Sequence, residues 1–266
     1  KGVVVPMLFL LSPAKSLDYE SPIPDVPASE PLFVSESVRL IRALRSYKAP
    51  QIAELMDLSL DLSTLNVARY KSWRRAVPTE TARQAVLAFD GDVYGGLQAR
   101  SMTGVELAWA QDHLAILSGL YGVLRPLDRM QPYRLEMGTR LANRRGRDLY
   151  AFWGERITDA INAAVHDAHA TVLVNLASEE YFKAVRPKQL SVPVIRPVFE
   201  DWSGGRFRVV SFYAKRARGL MARYAIVNHL MTAASLKDFT GDGYVYMHAE
   251  ESASDSAWVF RRRLAA

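Results

Sequence analysis

The chain has no cysteine among its 266 residues. That absence excludes a structural disulfide, a thiol-based peroxidase, a thiolate zinc site and a Cys-ligated iron–sulfur cluster within it. No stretch reaches the eighteen or so apolar residues of a membrane-crossing helix, so no membrane partner is expected. The opening KGVVVPMLFLLSPAKS has the outline of a secretion signal, one cation followed by an apolar run. The run is Val-rich, broken by Pro6 and free of a small-x-small cleavage site, so it reads as a buried strand, and a cytoplasmic location is expected. Met7 reads as the natural start, with 1–6 an upstream extension and 7–266 one domain. His166 and His169 share a helix face at i, i+3 without an acid in ligand spacing; His113, His229 and His248 are scattered. No metal site and no cofactor is expected from them. There is no internal repeat and no GxxxxGK[ST] loop, and the glycines of DGDVYGGL (90–97) read as turn residues.

What the chain does have is cationic charge, unevenly placed. Lys and Arg number 34 against 28 Asp and Glu, a formal net charge of +6. Residues 206–223, RFRVVSFYAKRARGLMAR, hold six cations and no acid. A second basic region runs through Arg125, Arg129, Arg134, Arg140, Arg144, Arg145 and Arg147, whereas 237–256 is acidic. Such asymmetry points to an anionic partner, either nucleic acid or a phosphorylated or carboxylated small molecule; a solvated face of surface ion pairs is the alternative.

Patterning gives the architecture. SESVRLIRALRSY places Val38, Ile41 and Leu44 on one helix face, and PQIAELMDL with DLSTLNVARYKSWRR reads as two short helices. VELAWAQDHLAILSGLYGVL and LYAFWGERITDAINAAVHDA read as helices. TVLVNLA, VPVIRPVFED, RFRVVSFY, GYVYMHAEE and AWVFRRR read as strands. Helices and strands alternate without doubly wound regularity, so the expected class is α+β, an irregular mixed α/β fold with a mixed β-sheet core.

Within SFYAKRARGLMARY, Leu220, Tyr224, Val227 and Met231 form an apolar stripe expected to dock on the sheet. Lys215, Arg216 and Arg218 fall in the first turns, where the helix dipole disfavours cations. Unpaired N–H groups and gathered cations at that end suit an anion, unless Glu179 or Glu180 neutralises them. Lys15, in a loop after an apolar strand, binds an anion, serves as a nucleophile, or is a solvated loop lysine. Ser178 reads as an N-cap with Glu179 and Glu180 in the first turn.

LSPAKSLDY (11–19), LSGLYGVLRPLDRMQPYRLEMG (117–138), NLASEEYFK (175–183) and FYAKRARGLMARY (212–224) resemble the peroxide stress protein YaaA family, in order and across nearly all of 7–262. The commonest family form of the first motif has Thr where this chain has Ser16. The resemblance implies a cytoplasmic bacterial protein that limits free intracellular iron under peroxide stress, with a positively charged cleft and DNA binding. It also implies a helix-hairpin-helix element, here 50–73, although DLSLDLS has no glycine to bring backbone amides to phosphate. The site candidates are Lys15, Arg125, Arg134, Lys215, Arg216 and Arg218, with Ser12, Tyr133, Glu136, Ser178 and Tyr181 in support. Tyr133 and Tyr181 would stack or hydrogen-bond. The leading expectation is a monomeric protein that binds double-stranded or structured DNA without sequence readout. A second is an enzyme on an anionic small molecule or nucleotide, with Glu136, Glu180 or Asp128 moving protons; a third, direct iron binding, is disfavoured by the lack of clustered ligands.

Overall fold

The computed structural model describes residues 6–247 and 256–263. Apart from Pro6, the extension assigned to 1–6 lies outside the described residues, as do His248 and the last residues of the GYVYMHAEE strand. The strands of the main sheet are β1 (Met7–Leu11), β2 (Leu114–Ser118), β3 (Gly122–Leu124), β4 (Val172–Leu176), β5 (Val194–Ser203), β6 (Arg206–Arg208), β7 (Val245–Tyr246) and β8 (Ala257–Arg262). The helices that matter below are α1 (Val34–Leu44), α2 (Ala49–Met56), α3 (Leu60–Ser72), α4 (Asp92–Leu97), α5 (Gly104–His113), α6 (Leu149–Trp153), α7 (Arg156–Asp167) and α8 (Ser211–Val227).

The sheet order is β7-β8-β5-β4-β1-β2-β3, with β6 paired to β5. Neighbours from β8 to β2 run parallel, and β3, β6 and β7 are antiparallel additions. This is the expected α+β class with a mixed sheet. MLFLL, LAILS and VLVNL are buried along their whole length, as parallel strands covered on both faces must be. Each buried Leu or Phe of these runs contributes about 1.5–3 kcal/mol. Leu10 is in register with Ala115 on one side and Asn175 on the other, so β1 is the central strand.

Several elements differ from the reading of the sequence. Residues 105–124 are not one helix. α5 starts at a capping box, with Thr103 Oγ1 accepting from Glu106 N at 3.2 Å and Glu106 Oε2 accepting from Thr103 N at 2.6 Å, and stops at His113. β2 and β3 follow as an antiparallel pair. The run 114–124 is apolar but for the buried Ser118, and periodicity alone cannot tell such a run from a buried helix. The helix read over 149–168 is α6 and α7, divided at Gly154 (φ +54). The strand read in RFRVVSFY ends at Arg208, and α8 begins at Ser211.

α8 also buries a different face from the one expected. Ala214, Ala217, Met221 and Ala225 are buried, whereas Val227 and Met231 are exposed. The reason is a backbone-to-backbone crossing with α4. A Cβ on Gly219 would stand 1.8 Å from Val93 O, and one on Gly96 would stand 2.2 Å from Arg216 O. Gly96 therefore permits close approach and is not a turn residue. On α3, Leu62 and Leu65 are exposed while Ser63, Asn66 and Tyr70 are buried. Ser63 Oγ and Asn66 Nδ2 satisfy themselves on the carbonyls four residues back, both at 2.8 Å. α2 and α3 are joined through Asp57, which holds the left-handed position (φ 51). The pair α2–α3 spans the residues at which the resemblance implies a helix-hairpin-helix.

Candidate functional site

The chain leaves β1 toward β2 and leaves β4 toward β5, in opposite directions across the sheet. Adjacent parallel strands whose connections diverge open a crevice at their carboxyl ends. Here that crevice is a hollow of about 340 Å³. The loop after β1 brings Ser12 and Lys15 to it, and the segment after β4 brings Ser178, Glu180 and Tyr181. Ser12 Oγ accepts from Ser178 N at 2.8 Å and donates to Ser178 Oγ at 3.3 Å, tying the two loops together. The Tyr94 hydroxyl, from α4, donates to Ser12 O at 2.9 Å.

The third wall is Tyr133–Glu136. Glu136 accepts from Lys15 Nζ at 2.9 Å and from Arg134 Nη2 at 3.4 Å. Arg134 is mostly buried, its carbonyl accepts from the Tyr70 hydroxyl, and its Nε is buried with no acceptor among the described residues. Glu180 Oε1 accepts from Gly138 N at 2.9 Å, and a Cβ on Gly138 would come within 3.1 Å of that oxygen.

α8 supplies the fourth wall with Lys215 and Arg218, three residues apart and therefore on one helix face. They sit in its second turn, beyond the first turn where the dipole acts most strongly. Neither makes a hydrogen bond or ion pair among the described residues. Burial holds the Arg218 guanidinium below its ordinary pKa, opposed by the charge of Glu179. No carboxylate thus neutralises these two cations directly.

Four of the six cationic candidates, Lys15, Arg134, Lys215 and Arg218, line the hollow. Arg125 does not. Its Nη2 bonds Asp128 at 3.1 Å, and both line a separate cavity of about 680 Å³ with Glu30 and Gln111. Asp128 is itself buried, accepts from Ser29 Oγ at 2.7 Å and has its pKa raised by burial; it is not placed to move protons in the hollow. Arg216 turns the other way and pairs with Asp242 at 2.9 Å. All five supporting residues line the hollow. Tyr133 and Tyr181 are only 5% and 7% exposed, too little to offer a stacking face. Burial raises both their pKa values, and the Tyr133 hydroxyl is 2.6 Å from Ser118 Oγ.

Acids were missed. Asp90 and Asp92, flanking Gly91, line the hollow together with Glu136 and Glu180. Its lining therefore holds four cations and four acids, and the net positive charge lies elsewhere. The signal was present in DGDV, two acids around a glycine, but only the fold sets them opposite α8.

The basic stretch that begins at Arg206 meets exposed aromatic rings at the β5–β6 hairpin, a combination the sequence left unread. No acid occurs between Asp201 and Asp238. Trp202 and Phe212 are 42% and 54% exposed. Arg263 lies over the Trp202 ring at 3.9 Å, Arg261 over Phe207 at 4.8 Å, and the two rings meet edge-on at 5.0 Å. Arg206 and Arg208 are exposed beside them. The alternation of Trp202, Arg206, Phe207 and Arg208 was the available signal. Among the described residues no three His, Asp or Glu side chains converge as a metal site requires, and no helix is long and apolar enough to cross a membrane.

Comparison with known proteins places this geometry. The family model described as peroxide stress protein YaaA matches residues 7–250. UPF0246 protein RSc2009 of Ralstonia nicotianae is 56% identical over 259 residues, 97% of this chain and 100% of its own length. A UPF0246 protein of Paraburkholderia phytofirmans is 55% identical over 260 residues, covering 97% and 99%, and UPF0246 protein azo1887 of an Azoarcus species is 56% identical over 261 residues, again 97% and 99%.

Proposed function

The chain belongs to the peroxide stress protein YaaA family, and from that membership we propose that it acts in the bacterial response to peroxide as a cytoplasmic, monomeric DNA-binding protein that helps limit free intracellular iron. Hydroxyl radicals formed from iron and peroxide attack DNA, so occupying DNA and lowering reactive iron act on the same damage. The observation that carries the DNA part is the hairpin: exposed Arg206, Arg208 and Arg263 beside exposed Trp202 and Phe212, with no acid from 202 to 237. Cations that neutralise phosphates supply sequence-independent affinity, and aromatic faces accept bases without reading them. Lys215, one turn beyond Phe212 on α8, is exposed and lines the hollow, and in this reading it adds a further phosphate contact. The positive cleft of this reading is thus the hairpin and Lys215, not the charge-balanced interior. With no cluster of metal ligands among the described residues, iron limitation is assigned to an effect other than tight sequestration.

The test is titration of duplex and single-stranded DNA at two salt concentrations with the wild-type chain and the double variant Arg206→Glu, Arg208→Glu. Wild-type affinity should fall with salt at a log–log slope of about −0.9 per phosphate contacted on duplex. The double variant should lose about two such increments of slope. Salt-insensitive binding, or a folded double variant that binds as the wild type does, rejects the reading.

A further inference from the structure

The DNA surface leaves the interior of the hollow unused, yet the interior is the most elaborately built part of the molecule. Its 340 Å³ equals about eleven waters at roughly 30 Å³ each, so it admits a small molecule or an end group and excludes a passing duplex. Two of its cations are already committed, since Lys15 and Arg134 share Glu136. The other two, Lys215 and Arg218, are held on one helix face with no hydrogen-bond or ion-pair partner among the described residues. Two unpaired cations side by side match a dianion, and a guanidinium fork matches the planar pair of oxygens that a phosphate offers. A phosphate monoester carries nearly two charges at neutral pH; a diester carries one. Ser178 adds a directional donor. Its Oγ accepts the Ser12 hydroxyl proton, which leaves its own proton to point at a ligand oxygen.

The remaining wall sets what the phosphate is attached to. Asp90 and Asp92 are exposed at the rim and have no hydrogen-bond or ion-pair partner through their side chains among the described residues. Glu180 uses Oε1 on Gly138 N, leaving Oε2 to accept. Three carboxylates there repel a second phosphate and attract amino or hydroxyl groups.

We propose that the hollow binds a small phosphomonoester, its dianion held by Lys215, Arg218 and the Ser178 hydroxyl and its donor-bearing organic part facing Asp92 and Glu180. The burial that lowers the Arg218 pKa strengthens the same contact, because a desolvated cation attracts an anion more strongly than a hydrated one. Nucleoside monophosphates have this chemistry, and so does the phosphorylated end of a DNA strand. The site shares Lys215 with the edge of the proposed DNA surface and uses none of the hairpin cations Arg206, Arg208 and Arg263.

Calorimetric titration of the full chain decides it, with adenosine monophosphate and adenosine as probes. The monophosphate should bind and adenosine should bind at least tenfold more weakly. Lys215→Ala, an exposed change that leaves packing alone, and Arg218→Gln should each weaken the monophosphate at least tenfold, with folding checked by circular dichroism. A second arm compares single strands bearing a 5′-phosphate or a 5′-hydroxyl. Tenfold preference for the phosphorylated end, lost in Lys215→Ala, assigns the site to strand ends; binding of the monophosphate without that preference assigns it to a free metabolite. Absence of both, or binding that Lys215→Ala and Arg218→Gln leave unchanged, overturns the proposal. The Arg206→Glu, Arg208→Glu variant separates the two readings, since it should lose DNA while still binding the monophosphate.

Discussion

In the hollow, Lys15 and Arg134 converge on Glu136 and the lining balances four cations with four acids, whereas on the β5–β6 hairpin Arg206, Arg208 and Arg263 face solvent and aromatic rings with no acid in the run. Both regions draw on the same basic stretch of sequence, and α8 connects them. The difference is geometric. Side chains pointing into a small concave space are surrounded by other segments, and some of those segments bring carboxylates; on the hairpin Arg261 pairs with Glu200 at 2.8 Å, while Arg206, Arg208 and Arg263 stay exposed. Balanced charge in a confined volume discriminates among small ligands by fit and hydrogen bonding, while exposed cations with no acid beside them attract polyanions with little discrimination. Net charge alone therefore says nothing about which of the two is at work.

Breaking one region while sparing the other tests this contrast. The largest effect is expected from Gly219→Ala. Its Cβ would meet Val93 O at 1.8 Å, forcing α8 away from α4. Overpacking of this kind costs about 1–3 kcal/mol, which lowers Tm by roughly 2–12 °C in a domain of this size. Monophosphate affinity should drop more than tenfold, and duplex affinity on the hairpin should change less than threefold; scanning fluorimetry and calorimetry read both. A variant that kept its monophosphate affinity would show that the crossing does not set the hollow. Trp202→Ala should act in the opposite direction, leaving the hollow alone. Loss of one stacking face costs about 1–3 kcal/mol on single strands, about tenfold in affinity, with a smaller loss on duplex, measured by fluorescence anisotropy. Equal losses on both DNA forms would argue for phosphate contact without stacking. Glu36→Gln should touch neither region. Glu36 accepts from Arg145 Nη1 at 2.6 Å, and that bond holds its pKa below the ordinary 4.5. A depressed carboxylate stabilises the fold above its unfolded value and loses that contribution as pH falls through the folded one. The variant should therefore be less stable than wild type by about 1 kcal/mol near neutrality, with the gap closing below pH 4.5 in denaturant melts. A gap that persisted in acid would remove the pair as its cause.

Strands β4, β5 and β8 and helix α1 were legible because each carries a clean local period or a short apolar run between turn residues. The pair β2–β3 was not, since a short, mostly apolar run fits either buried element. The four motifs named most of the hollow, Ser12, Lys15, Arg134, Glu136, Ser178, Lys215 and Arg218 among them. Asp90 and Asp92 escaped because their role depends on a long-range meeting with α8. Arg125 and Arg216 fail to reach the hollow for a similar reason: Asp128 and Asp242 claim them, and such pairing is invisible one residue at a time. The inverted face of α8 follows from Gly96 and Gly219, small residues that read as weak helix formers until the partner backbone is seen.

That crossing acts as a fixed calliper. Gly219 rests on Val93, next to Asp92 and one position past Arg218, so the jaws that carry the acid and the cation are set by main-chain contact, with no pliable side chain between them. Ligands of graded length should accordingly show a sharp cut-off in affinity where they outgrow the gap, in place of a gentle decline.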